Sequence, residues 1–249
     1  MDRAPGTRPF WLTAFFDLPA RVVDSATSFW AAVTGFERSP LRGTTGEFAT
    51  LIPAVGDPYL KVQRIGGAPR LHLDVHVADV PATAALAVAL GARVAADPGL
   101  GYLVLTSPSG FVFCLVGHSG TGRPPASRWP DGYRSRVDQV ALDLPRDVHA
   151  VEAEFWSALI DEPVRALSGD EFSAIDRRPE LPMRVLLHRL DEPTGRTRAH
   201  LDLATDDVAA EVARHVALGA QIVGVRDSWT VLRDPVRLPY CVTGRDPGQ

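Results

Sequence analysis

Lysine is nearly missing from this chain. It occurs once, as Lys61, so the remainder of the 26 basic residues are arginine. Chemistry through a lysine imine therefore has one candidate, on an expected strand and with no supporting motif. Cysteine occurs only as Cys114 and Cys241, which excludes a disulfide framework and a CxxC metal knuckle. GxGxxG after a strand, GxxxxGKS/T, GxSxG and HExxH are all absent, so the nucleotide, hydrolase and zincin readings have no support. Positive charge is not in excess: the formal net charge is -4, which supplies no field for nucleic acid or an anionic membrane. No apolar run reaches the ~20 residues of a membrane span. The opening Met1-Asp2-Arg3-Ala4-Pro5-Gly6 lacks the apolar stretch of a secretory signal, so the expected location is the cytoplasm. What is present is ordinary for a folded chain: 249 residues, 45% hydrophobic and 22% charged, enough for one large domain or two small ones.

An internal repeat organises the sequence. Phe16-Asp17-Leu18-Pro19 recurs as Leu142-Asp143-Leu144-Pro145, and Ser28-Phe29-Trp30 as Glu154-Phe155-Trp156. Leu71-His72-Leu73-Asp74-Val75 recurs as Ala199-His200-Leu201-Asp202-Leu203, and Leu90-Gly91-Ala92 as Leu218-Gly219-Ala220. Phe113-Cys114-Leu115 returns as Tyr240-Cys241-Val242. The offset stays at about 127 residues throughout, the signature of a tandem duplication. The stretch from Gly117 to Arg128 is rich in Gly, Pro and Ser without apolar periodicity and reads as a linker. The expected domains are 8–117 and 134–245, joined by a linker at 118–133.

Each half reads as two shorter units. In the first half, strands are expected over 11–19, 48–53, 59–65, 71–77, 102–106 and 111–116, with helices from Asp24 to Val33 and from a cap at Asp79 to Gly91. The second half repeats the pattern: strands at 137–144, near 172–176 and 183–190, and at 199–204, 229–232 and 239–243, with helices from Asp147 and from Asp207. The order is βαβββ, four times over. Strand parity then sorts the side chains. Leu71, Leu73, Val75 and Val77 share one face of their strand, while His72, Asp74 and His76 share the other. His200 and Asp202 lie opposite Leu201 and Leu203, and Gln139 opposite Val140. With helices covering the apolar faces, the polar faces form a hollow lined with His, Asp, Gln and Cys, the physical form of a small-molecule site. Trp11, Trp229 and Tyr240 are candidates for its wall. Trp30 and Trp156 are expected in the core, Ser107-Pro108 and Asp234-Pro235 in turns, and Arg189, Arg196 and Arg198 in a solvated loop.

The doubled βαβββ order, the His-Leu-Asp-Leu strand, the Leu-Gly-Ala helix end and the closing Asp-Pro-x5-Cys strand resemble the vicinal oxygen chelate superfamily. Within it the chain resembles tandem glyoxalase-like proteins, related to glyoxalase I, bleomycin resistance proteins and extradiol dioxygenases. The resemblance implies an α+β fold of four βαβββ units, making two tandem glyoxalase/bleomycin-resistance/dioxygenase-like domains with cup-shaped sheets. It also implies four metal-ligand positions, occupied by Gln139, His188, His200 and Cys241 in the second domain and by Thr13, Gln63, His72 and Cys114 in the first. Cys241 and Cys114 stand where the family has Glu, so the full family set is present in neither domain. As structural residues, His200 would pair with Asp202 or Gln139 and the cysteines would pack as small apolar groups.

The leading expectation is a protein that binds a small organic molecule in its cup without the usual metal centre, either as a resistance-type binder or as a metal-independent enzyme. Trp11, His72, Asp74, His188, His200, Asp202, Trp229 and Tyr240 are its expected ligand contacts. The alternative is a metal-dependent lyase, isomerase or dioxygenase with one divalent ion held by Gln139, His188, His200 and Cys241. A third reading makes the duplication a scaffold for protein contacts. The expected partner is a small molecule, not nucleic acid or membrane, and the expected state is a monomer or homodimer.

Overall fold

A computed structural model describes residues 3–118, 120, 122–167 and 169–248. Met1 and Asp2 of the opening segment, and Ser119 and Thr121 of the expected linker, lie outside the described residues. The first half folds as β1 (Trp11–Pro19), α1 (Val23–Thr34), β2 (Glu37–Arg38), β3 (Phe48–Ile52), β4 (Leu60–Ile65), β5 (Arg70–His76), α2 (Val80–Ala89), β6 (Arg93–Ala96), β7 (Tyr102–Thr106) and β8 (Val112–Val116). The second gives β9 (Ser127–Arg128), β10 (Arg134–Leu144), α3 (Arg146–Ile160), β11 (Val164–Ala166), β12 (Phe172–Ile175), β13 (Arg184–Arg189), β14 (Arg198–Thr205), α4 (Val208–Ala217), β15 (Gln221–Val225), β16 (Trp229–Arg233) and β17 (Pro239–Thr243).

These strands form two open, curved, mixed sheets. The first has the order β2-β3-β4-β1-β5-β8-β7-β6, and the second β11-β12-β13-β10-β14-β17-β16-β15, with β9 added on β10. The fold is therefore the expected α+β arrangement of four βαβββ units. The short strands β2, β6, β11 and β15 complete the units. They carry no alternating pattern because they are edge strands that bury little: β6 and β11 are exposed along their whole length. Within the expected linker, Ser127 and Arg128 pair with Ser135 and Arg134.

Parity holds along the central strands, and it decides which side meets a helix. In β8, Phe113 packs edge-on against Trp156 of α3, centroids 5.3 Å apart. In β17, the equivalent Tyr240 packs against Trp30 of α1 at 5.1 Å. Cys114 and Cys241 alternate with these aromatics and point to the opposite face. Because the helix of one repeat packs on a strand of the other, the compact units do not follow the sequence halves. One unit comprises Met1–Ala14, His72–Thr121 and Ala141–Ala199, and the other Phe15–Leu71, Gly122–Val140 and His200–Gln249.

The duplicated helices begin and end by different devices. Asp79 and Asp207 cap α2 and α4, accepting the amides of Ala82 and Ala210 at 2.9 Å. Asp24 does not cap α1: a turn of 3-10 helix over Ala20–Val22 leads into it, and no side chain caps its start. Gly35 ends α1 in the left-handed region, where Asp161 does the same for α3.

Candidate functional site

The second unit's polar cluster follows from strand geometry. His200 and Asp202 are two residues apart on β14 and so share a face. The parallel register of β14 and β17 sets Cys241 beside Asp202. His200 Nε2 lies 3.3 Å from Asp202 Oδ1 and 3.6 Å from Cys241 Sγ. The same construction appears in the first unit, where β5 and β8 set Cys114 beside Asp74 and His72 Nε2 lies 3.6 Å from Asp74 Oδ1. In each trio the three donor atoms lie within 4.8 Å of one another. The clusters differ in access: all of His72, Asp74 and Cys114 are buried, whereas His200 is partly open.

Gln139, on β10, joins the second cluster. Its amide nitrogen donates to Asp202 Oδ2, and its carbonyl oxygen accepts from Arg245 Nη1 at 3.2 Å. Arg245 also holds Asp138 through two hydrogen bonds, 3.0 and 2.7 Å. Burial pushes the Asp202 carboxyl upward, but His200, the Arg245 charge and the Gln139 amide outweigh it, so Asp202 titrates below the usual carboxylate range. Burial raises the thiols of Cys241 and Cys114, with the adjacent histidines opposing. Both cysteines are therefore held as thiols unless a cation competes for the sulfur.

The remaining candidates sit elsewhere. His188 Nδ1 lies 2.8 Å from Asp143 Oδ1, and its ring stacks on Phe172 at 4.7 Å. Asp143 is four residues farther along β10 than Gln139, and His188 is not part of the His200 trio. Gln63 is on β4. Thr13 bonds His76 Nε2 at 2.9 Å while His76 Nδ1 meets the His118 carbonyl at 2.8 Å, so His76 is a satisfied histidine of the first unit. Trp11 is buried, its indole against Gly120. Tyr240 lies on the helix side of β17, its hydroxyl 3.1 Å from His215 Nδ1, because odd and even positions of a strand face opposite ways. Trp229 is half-buried and shares the Cys241 face, two residues from Val231, the Cα partner of Cys241.

Sequence reading missed Arg245 and Asp138, whose pairing spans 107 positions; Arg245 follows the last strand and carries no local signal. It also missed a buried polar network in the second unit. Glu211 is fully buried and accepts from the Tyr133 hydroxyl at 3.0 Å and from Arg214 at 2.9 Å. Arg214 stacks over Trp129 and caps the end of α1 through the carbonyls of Ala32 and Val33.

Comparison with known proteins agrees with this architecture. Residues 13–116 and 139–243 each match the glyoxalase-like domain family. The chain belongs to that family, in two copies. Solved structures share the fold across nearly the whole chain. The Mn(II)-bound glyoxalase from Novosphingobium aromaticivorans is 17% identical, covers 98% of this chain and 83% of its own, and has a TM-score of 0.67. The 2,2',3-trihydroxybiphenyl 1,2-dioxygenase from Sphingomonas wittichii strain RW1 is 15% identical over 96% of this chain and 90% of its own, TM-score 0.61. An extradiol ring-cleaving dioxygenase from B. fuscum is 15% identical over 98% and 74%, TM-score 0.64. No curated protein matches the chain. Among the described residues no helix is long and apolar enough to cross a membrane.

A manganese centre like that of the glyoxalase does not fit these residues well. Manganese favours oxygen donors, yet a thiol stands at Cys241, and both ends of the Gln139 amide are engaged by Asp202 and Arg245.

Proposed function

We propose that the protein handles a small hydroxylated organic molecule on the polar face of β14 and β17, with the polar head of that molecule at His200, Asp202 and Cys241, and without the family's usual metal set. The observation that carries this reading is the partly open imidazole at the centre of an otherwise buried acid–thiol cluster. Its floor is rigid because Gln139 and Arg245 tether it. Trp229, on the same face, supplies an aromatic wall. The S. wittichii relative acts, by its name, on a trihydroxylated biphenyl, which makes hydroxylated aromatics the first ligands to try. Since each compact unit draws on both halves of the chain, a single chain can complete the site. We assign it to the cytoplasm, as a monomer or homodimer.

The test is a titration with 4-nitrocatechol followed by tryptophan fluorescence. Saturable quenching is expected, reduced in amplitude by Trp229→Phe and weakened at least tenfold by His200→Ala. An absence of saturable binding, or equal binding by wild type and His200→Ala, overturns the reading.

A further inference from the structure

β16 sends alternate side chains to the two sides of its sheet. Thr230 and Leu232, the Cα partners of Val242 and Tyr240, are buried on the helix side. Trp229, Val231 and Arg233 share the other side, where Val231 is paired with Cys241 and Arg233 with Pro239. The parallel register of β14 and β17 pairs Leu201 with Tyr240. One step back along both strands, Pro239 stands beside His200. Arg233, Pro239 and His200 therefore form one row across the sheet, with the proline between the arginine and the histidine. Neighbouring strands about 4.8 Å apart put the outer two Cα atoms of that row roughly 10 Å from each other.

Two further observations single out Arg233. It is half-buried, and among the described residues its side chain makes no hydrogen bond and no ion pair. Every other half-buried arginine among the described residues has a polar or electrostatic partner: Arg245 holds Asp138, Arg134 holds Asp206 and Arg214 holds Glu211. A guanidinium drawn partly out of water without an acceptor has lost hydration and gained nothing for it, and its planar fork matches a carboxylate two bonds at a time. The duplication supplies a control. The equivalent position of the first sheet, paired with Val112 as Arg233 is with Pro239, holds Thr106, so the fold itself does not require a cation there. Along β16 the face runs from an indole through an aliphatic side chain to a positive charge. An apolar bed closed at one end by a cation suits a molecule with an apolar body and an acidic end.

We propose that Arg233 is the specificity-determining residue of this site, and that the ligands are hydroxylated organic acids. The carboxylate of the ligand sits on the Arg233 guanidinium, its hydroxyl at His200, and its body over Val231 toward Trp229. This rests on the preceding reading, to which it adds the acidic group and the residue that reads it.

The test is a fluorescence titration of the full chain with 3,4-dihydroxybenzoate, its neutral counterpart 3,4-dihydroxybenzamide, and 4-nitrocatechol. Wild type is expected to bind the acid about tenfold more tightly than the amide, the worth of one charge-assisted hydrogen bond. Arg233→Met keeps the length of the side chain and loses its charge, and is expected to make the two affinities equal. Arg233→Lys, which keeps the charge without the fork, retains part of the preference. Equal binding of acid and amide by wild type, or a preference that survives in Arg233→Met, overturns the inference. Should Arg233→Met fail to fold, wild type decides alone: the advantage of the acid shrinks with added salt, and an advantage that salt leaves unchanged overturns the inference. Saturable binding of 4-nitrocatechol without a preference for the acid overturns this inference only. Absence of saturable binding by all three compounds overturns the preceding reading with it.

Discussion

Single side chains connect the two repeats, and their partners make them accountable. The Trp30 indole donates to Asp234 Oδ2 at 3.0 Å inside the second unit, and Asp234 also accepts the amides of Val236 and Leu238. Burial raises the Asp234 carboxyl, so losing a donor there is felt. Trp30→Phe removes that donor and also leaves a cavity where the fused ring packed among Phe16, Phe29 and Tyr240, so it is expected to cost about 2–4 kcal/mol, read from urea unfolding. Glu211 gives the pH dependence. Burial pushes its carboxyl up, but hydrogen bonds and charge from His215 and Arg214 outweigh it and hold it at about 2. That lies below its value of about 4.3 in an unfolded chain. Its contribution to stability is therefore complete above about pH 4.3 and is lost as pH falls toward 2. Glu211→Gln is expected to lower the urea midpoint at neutral pH and to flatten the loss of stability below about pH 4. An unaltered acid limb in that variant would contradict the assignment.

At the level of elements, the caps separate what sequence predicts from what packing decides. Asp79 and Asp207 sit before helical runs with an amide three residues on to accept; Asp79 caps as expected, and Asp207, expected only as the start of its helix, caps in the same way. Asp24 has the same local appearance, but the chain turns into 3-10 helix first, and its carboxylate points to Arg38 at the surface. Asp207→Ala is accordingly expected to cost about 1 kcal/mol, against roughly 0–1 kcal/mol for Asp24→Ala, the worth of an exposed ion pair; thermal melts of the two variants discriminate. The central strands were legible because each has an apolar face that must be covered, so alternation survives in the sequence. β2, β6, β11 and β15 were not, since a two- to five-residue edge strand with exposed side chains is under no such demand. The site was half legible for the same reason. Parity put His200, Asp202 and Cys241 on one face, and the register of β14 with β17 then joined them. Parity alone could not say how far along β10 His188 would fall, nor that Tyr240 belonged with the helices.

At the level of the whole molecule, the repeat and the packing divide the chain differently. Each compact unit takes segments from both repeats, and the contacts that close it are long-range: Arg3 reaches the carbonyl of Ala158 at the end of α3, and Arg214 reaches those of Ala32 and Val33. Separate polypeptides covering residues 1–120 and 122–249 each contain only part of either unit. Each alone is expected to give poorly dispersed NMR spectra, and an equimolar mixture to recover dispersed signals. Two independently folded halves would refute this.

The indole–carboxylate bond between Trp30 and Asp234 bridges 204 positions. During synthesis the first helix must therefore leave the ribosome with its aromatic stripe short of Asp234 and Tyr240, and stay so until both have been made. Distant pairing of this kind slows folding and prolongs the exposure of adhesive surface. A message cut short before codon 234 would thus yield not a smaller working protein but a client for chaperones and proteases.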